Sequence, residues 1–311
     1  MNNRFDLSRR DFLARAALAA AGMSLAGQST LTSAEAKFAP PITVFSKIYQ
    51  DLKLDFGQAA ELTAEAGLDG VDCPVRPGGE ILPERAVDDL PRYAEALRQR
   101  KTGLLLLTTA ILSPATPHAE DILRTAKKLG VRYYRLGFVP IPREADARKQ
   151  IVEIKAQLKD LAALNKELGL TAVFQNHSPS GKTKNLGGDL NDLYEIVKDF
   201  DPDQIGVAFD LGHALIVHGD EWSPLFEKLK SHVKVAYVKD TQRGARFVRF
   251  GQGEFGRLDW FTRLKAMNYR APMSLHIEFD WTGPDKAKTR AALLQALKES
   301  VGVLRGWLAK A

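Results

Sequence analysis

The sequence predicts an α/β fold, a single (β/α)8 TIM barrel, and three observations predict it. First, short β-rich runs alternate with helix-like stretches, eight of each, between residues 42 and 309. That is the order of a parallel sheet with crossover helices. Second, helical stretches repeatedly close on a glycine just before the next strand, at Ala66-Gly67, Leu129-Gly130 and Leu168-Gly169. Glycine tolerates the left-handed backbone that ends a helix. Third, no composition break, Ser/Gly linker or internal repeat divides the chain, so one domain accounts for it. The competing architecture, a doubly wound open sheet, wants a G-x-G-x-x-G loop after an early strand, and the sequence has none there.

Composition sets the outer bounds. The chain has 311 residues, 45% hydrophobic and 26% charged, which excludes a disordered, collagen-like or polytopic membrane protein. Cys73 is the single cysteine, so no intrachain disulfide framework exists. A net charge of +6 and a pI near 9.2 leave a basic surface for nucleic acid or anionic substrates open on composition alone.

Taken in order, residues 1–36 read as a leader rather than as fold. Ser8-Arg9-Arg10-Asp11-Phe12-Leu13 places two arginines before a mild apolar run, Ala16 to Ala26, and Ala34-Glu35-Ala36 supplies an A-x-A cleavage pattern. The run is shorter and less apolar than the ~20 residues a bilayer span needs. The order matches a twin-arginine export signal. The expectation is a protein carried by the Tat translocon to the periplasm, starting near Lys37 and keeping no membrane span after cleavage. Strands follow at Ile42–Lys47, Gly70–Val75, Gly103–Ile111 and Val131–Gly137, then at Thr171–His177, Ile205–Asp210, Val233–Asp240 and Pro272–Asp280. The intervening helices are expected at 56–67, 88–100, 119–129, 144–168, 189–199, 221–231 and 258–267, with a last one over 285–309. The glycine-rich piece Phe250-Gly251-Gln252-Gly253-Glu254-Phe255-Gly256 reads as a turn or lid after the seventh strand and lacks the G-x-x-x-x-G-K-S/T spacing of a P-loop.

Chemistry in such a barrel lies at the C-terminal strand ends. In the eighth strand Met273, Leu275, Ile277 and Phe279 alternate with Ser274, His276, Glu278 and Asp280. A period of two separates the faces, and in a closed parallel barrel the polar face must point inward. The fifth strand closes on Gln175 and His177, with Asn176 on the other face. The sixth closes on Asp210 with His213 just beyond, a spacing that suits a metal or a sugar hydroxyl. Taken singly, each is more often a loop hydrogen-bonder than a ligand. Tyr237 and Lys239 share a face of the seventh strand; Lys239 reads as a base, an electrostatic clamp or a structural ion-pair partner. Arg135 ends the fourth strand as a candidate for an acidic substrate group. Three of the six histidines, His177, His213 and His276, fall at strand ends, and that clustering carries more weight than any one of them. Trp222, Trp260 and Trp281 lie near loop ends, where packing is the expectation ahead of stacking on a sugar.

The segments Phe174-Gln175-Asn176-His177, Gly206 to His213, Tyr237-Val238-Lys239-Asp240 and Ser274 to Glu278 resemble the xylose isomerase-like TIM-barrel family. That family holds sugar isomerases, ketose 3-epimerases and the related endonuclease IV enzymes. The resemblance implies a divalent metal (manganese, magnesium or zinc) at the C-terminal mouth and a small-molecule carbohydrate substrate. In the epimerase branch four ligands come from strands five to eight: glutamate, aspartate, histidine and glutamate. The two glutamates exchange protons at either face of an enediolate. Asp210 and Glu278 match the strand-six and strand-eight carboxylates, and His213 matches a histidine that touches substrate. Gln175 stands for the strand-five glutamate and Tyr237 for the strand-seven histidine. Glutamine offers one neutral carbonyl and no base, and tyrosine, with a pKa near 10, is a poor ligand at neutral pH.

The expected site is therefore Glu278, Lys239 and His213 for catalysis, His177, His276, Arg135 and Tyr237 for substrate, and Gln175, Asp210 and Glu278 for a metal. The leading function is an exported enzyme on a carbohydrate or polyol, moving a proton beside a carbonyl by metal-assisted isomerisation, epimerisation or elimination. The second is a barrel that binds sugar without turnover. A nuclease is set aside, because strands one to four end without histidine and the basic charge has no Lys/Arg block with interleaved aromatics; no nucleic-acid partner is expected.

Overall fold

The computed structural model describes residues 37–242, 246–283 and 285–311. The leader expected over residues 1–36 lies outside the described residues. Eight strands form the barrel: β1 Ile42–Phe45, β2 Gly70–Val75, β3 Gly103–Thr109, β4 Tyr133–Arg135, β5 Thr171–Gln175, β6 Ile205–Asp210, β7 Val233–Val238 and β8 Met273–Leu275. Each pairs in parallel with its sequence neighbours, and β1 meets β8 through Ile42–Met273, Thr43–Ser274 and Val44–Leu275, which closes the sheet. The architecture is the expected single (β/α)8 barrel.

The helices of seven residues or more are α1 Phe56–Glu65, α2 Ala86–Gln99, α3 Ala119–Lys128, α4 Arg148–Leu168, α5 Leu190–Val197, α6 Leu211–His218, α7 Trp222–Leu229, α8 Trp260–Ala266 and α9 Arg290–Lys310. Local chemistry sets their starts. Asp55 caps α1 by accepting from Gln58 N at 2.8 Å, while Gln58 Oε1 accepts from Asp55 N at 3.1 Å, a reciprocal capping box. Gly169, at φ 70°, closes α4 as its sequence position suggests. Helix α6 is the unforeseen element: the Asp210–His213 corner is no loop, because Asp210 ends β6 and also caps α6, accepting from His213 N at 3.1 Å. No helix among the described residues is long and apolar enough to cross a membrane.

The core has two parts, and their separation follows from the period of two along each strand. Val44, Val71, Leu107, Ala172, Phe174, Phe209, Val238 and Leu275 belong to the large cluster shared with the helices. Leu106, Val173, Ala208, Val235 and Tyr237 form a separate cluster from strands β3, β5, β6 and β7, the packed interior of the barrel. Two residues further along those strands come Thr108, Gln175, Asp210 and Lys239. An apolar plug thus floors a polar mouth.

Candidate active site at the barrel mouth

The strands stop pairing earlier than their β-rich runs. His177, Lys239, His276 and Glu278 all lie just past the last ladder residue of their strands, where side chains converge without a neighbouring strand. A cavity of about 160 Å³ opens there, lined by Phe45, Lys47, Arg76, Thr108, Arg135, Phe138, Gln175, His177, Lys239, His276 and Glu278. Of the expected site residues, Arg135, Gln175, His177, Lys239, His276 and Glu278 line it. Asp210, His213 and Tyr237 sit beneath or behind them, all buried. Asp280, read with the inward polar face of the eighth strand, is at the surface instead, accepting from Thr282 Oγ1 at 2.7 Å.

Asp210 anchors the floor. Its Oδ2 lies 3.0 Å from Lys239 Nζ and accepts from Gln175 Nε2 at 3.0 Å, while Oδ1 accepts from His213 N. Asn176 braces it from the other face: Asp210 N donates to Asn176 Oδ1 and Asn176 Nδ2 donates to Asp210 O, both at 2.8 Å. Burial pushes the Asp210 carboxyl up, but the charge of Lys239 and its hydrogen bond outweigh it and hold the group well below the usual carboxylate range. Lys239 Nζ also donates to His213 Nε2 at 3.1 Å, and His213 Nδ1 meets Ser178 Oγ at 2.9 Å. An ammonium can only donate, so Nε2 accepts and Nδ1 carries the ring proton. Burial lowers the His213 pKa well below its ordinary value, keeping the ring neutral.

The walls carry the remaining groups. Arg135 stacks 4.2 Å over the Phe138 ring and reaches Gln175 Oε1 at 3.5 Å. His177 Nδ1 is 2.8 Å from Ser178 O; a carbonyl can only accept, so Nδ1 is protonated and Nε2 keeps its lone pair. Burial lowers its pKa. His276 packs between Phe45 and Tyr237, with ring centroids at 4.9 and 4.6 Å. Its Nδ1 is 3.8 Å from Glu278 Oε1, and its buried Nε2 has no hydrogen-bond partner among the described residues. Burial and the charge of Lys239 lower the His276 pKa. Glu278 stands at the rim with 43% of its side chain exposed. Burial opposes its ionisation, but His276 and Lys239 hold it down at about 2. Tyr237 is fully buried, and burial pushes its phenol well above 10.

Sequence reasoning missed Asp72, which accepts from Thr108 Oγ1 and Ser274 Oγ at 2.8 Å each and is kept high by burial. An aspartate in the middle of an apolar strand was the available signal. Phe45, which ends β1, and Lys47, Arg76 and Phe138, which follow strand ends, were also missed, since nothing local marks an apolar or basic side chain that turns over a barrel mouth.

The profile of the Xylose isomerase-like TIM barrel family matches residues 60–300. The chain belongs to this family. Among solved structures, 3-keto-D-glucoside 4-epimerase from E. coli is similar at 14% identity and TM-score 0.64, over 86% of this chain and 100% of that one. A xylose isomerase domain protein from Planctomyces limnophilus is similar at 17% identity and TM-score 0.61, over 88% and 99%. A sugar phosphate isomerase/epimerase from Parabacteroides distasonis is similar at 15% identity and TM-score 0.59, over 92% and 98%. At these identities the likeness is one of fold. None of the curated proteins matches the sequence.

The family implies a divalent metal, and the residues present do not fit one. A divalent ion needs several oxygen or nitrogen lone pairs aimed at one shared point. Here both oxygens of Asp210 already face donors, Gln175 turns its amide nitrogen toward Asp210, the Tyr237 phenol is neutral, and Glu278 is at the rim. Among the described residues no group of three or more His, Cys, Asp or Glu side chains is placed to hold a metal.

Proposed function

We propose that the chain is an exported enzyme of carbohydrates or polyols that moves a proton at a carbon beside a carbonyl, in the manner of a sugar isomerase or epimerase. The observation that carries it is the mouth cavity, where His177, His276 and Glu278 surround a space faced by the cations of Arg135 and Lys239. Such a reaction needs a group to take the carbon-bound proton and positive charge where the enediolate oxygen becomes negative. The low-pKa imidazoles of His177 and His276 are neutral at pH 7, each with Nε2 available. Glu278 stays ionised beside His276 and orients its ring. The abstracted proton rests on the imidazole that takes it and returns from there to the neighbouring carbon in isomerisation; epimerisation takes a second proton, delivered to the opposite face by the other imidazole once it has been protonated from solvent, while the first releases its own to solvent. Lys47, Arg76, Arg135 and Lys239 against the single Glu278 carboxylate also favour a substrate with an acid group.

The test is a panel of sugars, polyols and sugar acids incubated with the protein in D2O, read by mass spectrometry. Deuterium at one carbon, with or without a new stereoisomer, supports the reading. The second reading, a sugar-binding barrel without turnover, draws on Gln175 and Tyr237 standing where the family places a glutamate and a histidine. Tight binding with no exchange in the whole panel would establish it instead. Export rests on Arg9-Arg10 and the Ala34-Glu35-Ala36 pattern, and N-terminal sequencing of protein recovered from the periplasm should begin near Lys37.

A further inference from the structure

Lys239 holds a position few lysines occupy. Its side chain is 3% exposed, its Nζ is 3.0 Å from the buried Asp210 carboxylate and 3.1 Å from His213 Nε2, and the Phe247 ring covers it at 5.1 Å. The backbone makes room for it: a Cβ on Gly212, in the first turn of α6, would come within 2.8 Å of Lys239 Cγ. Asp240, the next residue, is pinned by backbone N–H groups of Thr241, Gly251, Gly253 and Phe255, which fixes the chain where the lysine leaves it. Meanwhile Lys239 lines the substrate cavity.

We infer that the Lys239 ammonium is a built-in cation that takes the place of a divalent metal on the Asp210 carboxylate, so that this barrel works without one. Two arguments lead there. An ammonium 3.0 Å from a carboxylate oxygen and a divalent ion on that same oxygen exclude each other by both space and charge. And the one Lys239 Nζ faces both Asp210 Oδ2 and His213 Nε2 at this point, at 3.0 and 3.1 Å, which leaves no further space on either for an ion. Within the proton-transfer reading, on which this role depends, Lys239 and Arg135 face the developing oxyanion with the charge a metal would have brought.

The experiment measures metal binding directly, so it stands apart from any failure to find a substrate. Purified protein is stripped with EDTA and titrated with Mn2+, followed by calorimetry and electron paramagnetic resonance, beside Lys239→Ala and the Lys239→Ala/Asp210→Asn pair. Wild-type protein should take up less than about 0.1 equivalent. Lys239→Ala, which leaves a buried carboxylate without its cation, should bind about one equivalent at least ~100-fold more tightly, and the paired variant should lose it again. Stoichiometric Mn2+ on wild-type protein, removed by Asp210→Asn, overturns the proposal; so does a folded Lys239→Ala that binds no metal. If Lys239→Ala does not fold, Lys239→Met, which keeps the length of the stem, takes its place, and the wild-type titration still decides. Where a substrate has been found, EDTA should leave kcat unchanged, whereas silence across the sugar panel would count against the proton-transfer reading alone.

Discussion

At the scale of single residues, the mouth shows how burial redistributes roles among similar groups. Glu278 is the carboxylate that resembles the family's acid/base, yet with a pKa of about 2 it is a weak base, and the partnerless Nε2 of His276 is the better proton acceptor. Glu278→Gln and His276→Gln should each lower kcat by ~100-fold or more with little change in melting temperature; an unchanged kcat for His276→Gln would remove the ring from the mechanism. Another carboxyl, Glu80, lies outside the site. It accepts from Ser46 Oγ and from Cys73 Sγ at 3.7 Å, and burial raises its pKa to about 7. Folding therefore favours its protonated form. That contribution is full below its unfolded pKa of about 4.3 and fades as pH rises through 7. Glu80→Gln should match wild type in stability at pH 5 and exceed it by about 2 kcal/mol at pH 9, as read by thermal unfolding at both values.

At the scale of elements, the glycine-rich stretch after β7 is no free lid. Its amides at Gly251, Gly253 and Phe255 converge on the Asp240 carboxylate, a backbone nest closed on an internal anion. A Cβ on Gly253 would collide with Asp240 Oδ1 and Thr241 O. Gly253→Ala should cost about 1–3 kcal/mol by overpacking, and a melting temperature equal to wild type would show the loop to be looser than its hydrogen bonds imply. Strand ends and α6 tell a related story. The run Val233–Asp240 looks like one strand, but pairing stops at Val238, and the two residues beyond it carry the ammonium and the nest anion. Helix α6 escaped notice because Leu211 to His218 shows no polar face of helical period; Leu211, Gly212, His213 and Ala214 are all buried, and only the Asp210 cap marks its start. The ribbons Pro140–Pro142 with Thr183–Asn185 and Thr241–Gln242 with Arg246–Phe247 are too short to leave a pattern.

At the scale of the whole molecule, closure by β1 against β8 joins the beginning of the barrel to its end. Phe38 is buried just ahead of β1, and Ile42 N donates to Asp69 Oδ2 at 2.8 Å. Protein beginning at Lys37 should unfold in one cooperative transition, whereas a start at residue 46 removes β1, exposes two sheet edges and should fail to give a folded monomer in circular dichroism and size-exclusion measurements. The sequence by itself determined the barrel, because the alternation of strand and helix is local and repeats eight times, with glycine helix ends at Gly67, Gly130 and Gly169 and a clear period of two in the last strand. It also marked Arg135, Gln175, His177, Lys239, His276 and Glu278 as a shared set, since the ends of parallel strands meet at one mouth. Only the tertiary structure decided what these groups are to one another. Whether Lys239 meets Asp210 or solvent, and whether an imidazole keeps a free nitrogen, depends on distances of about 3 Å between residues far apart in the chain, and side-chain order along a strand does not encode them.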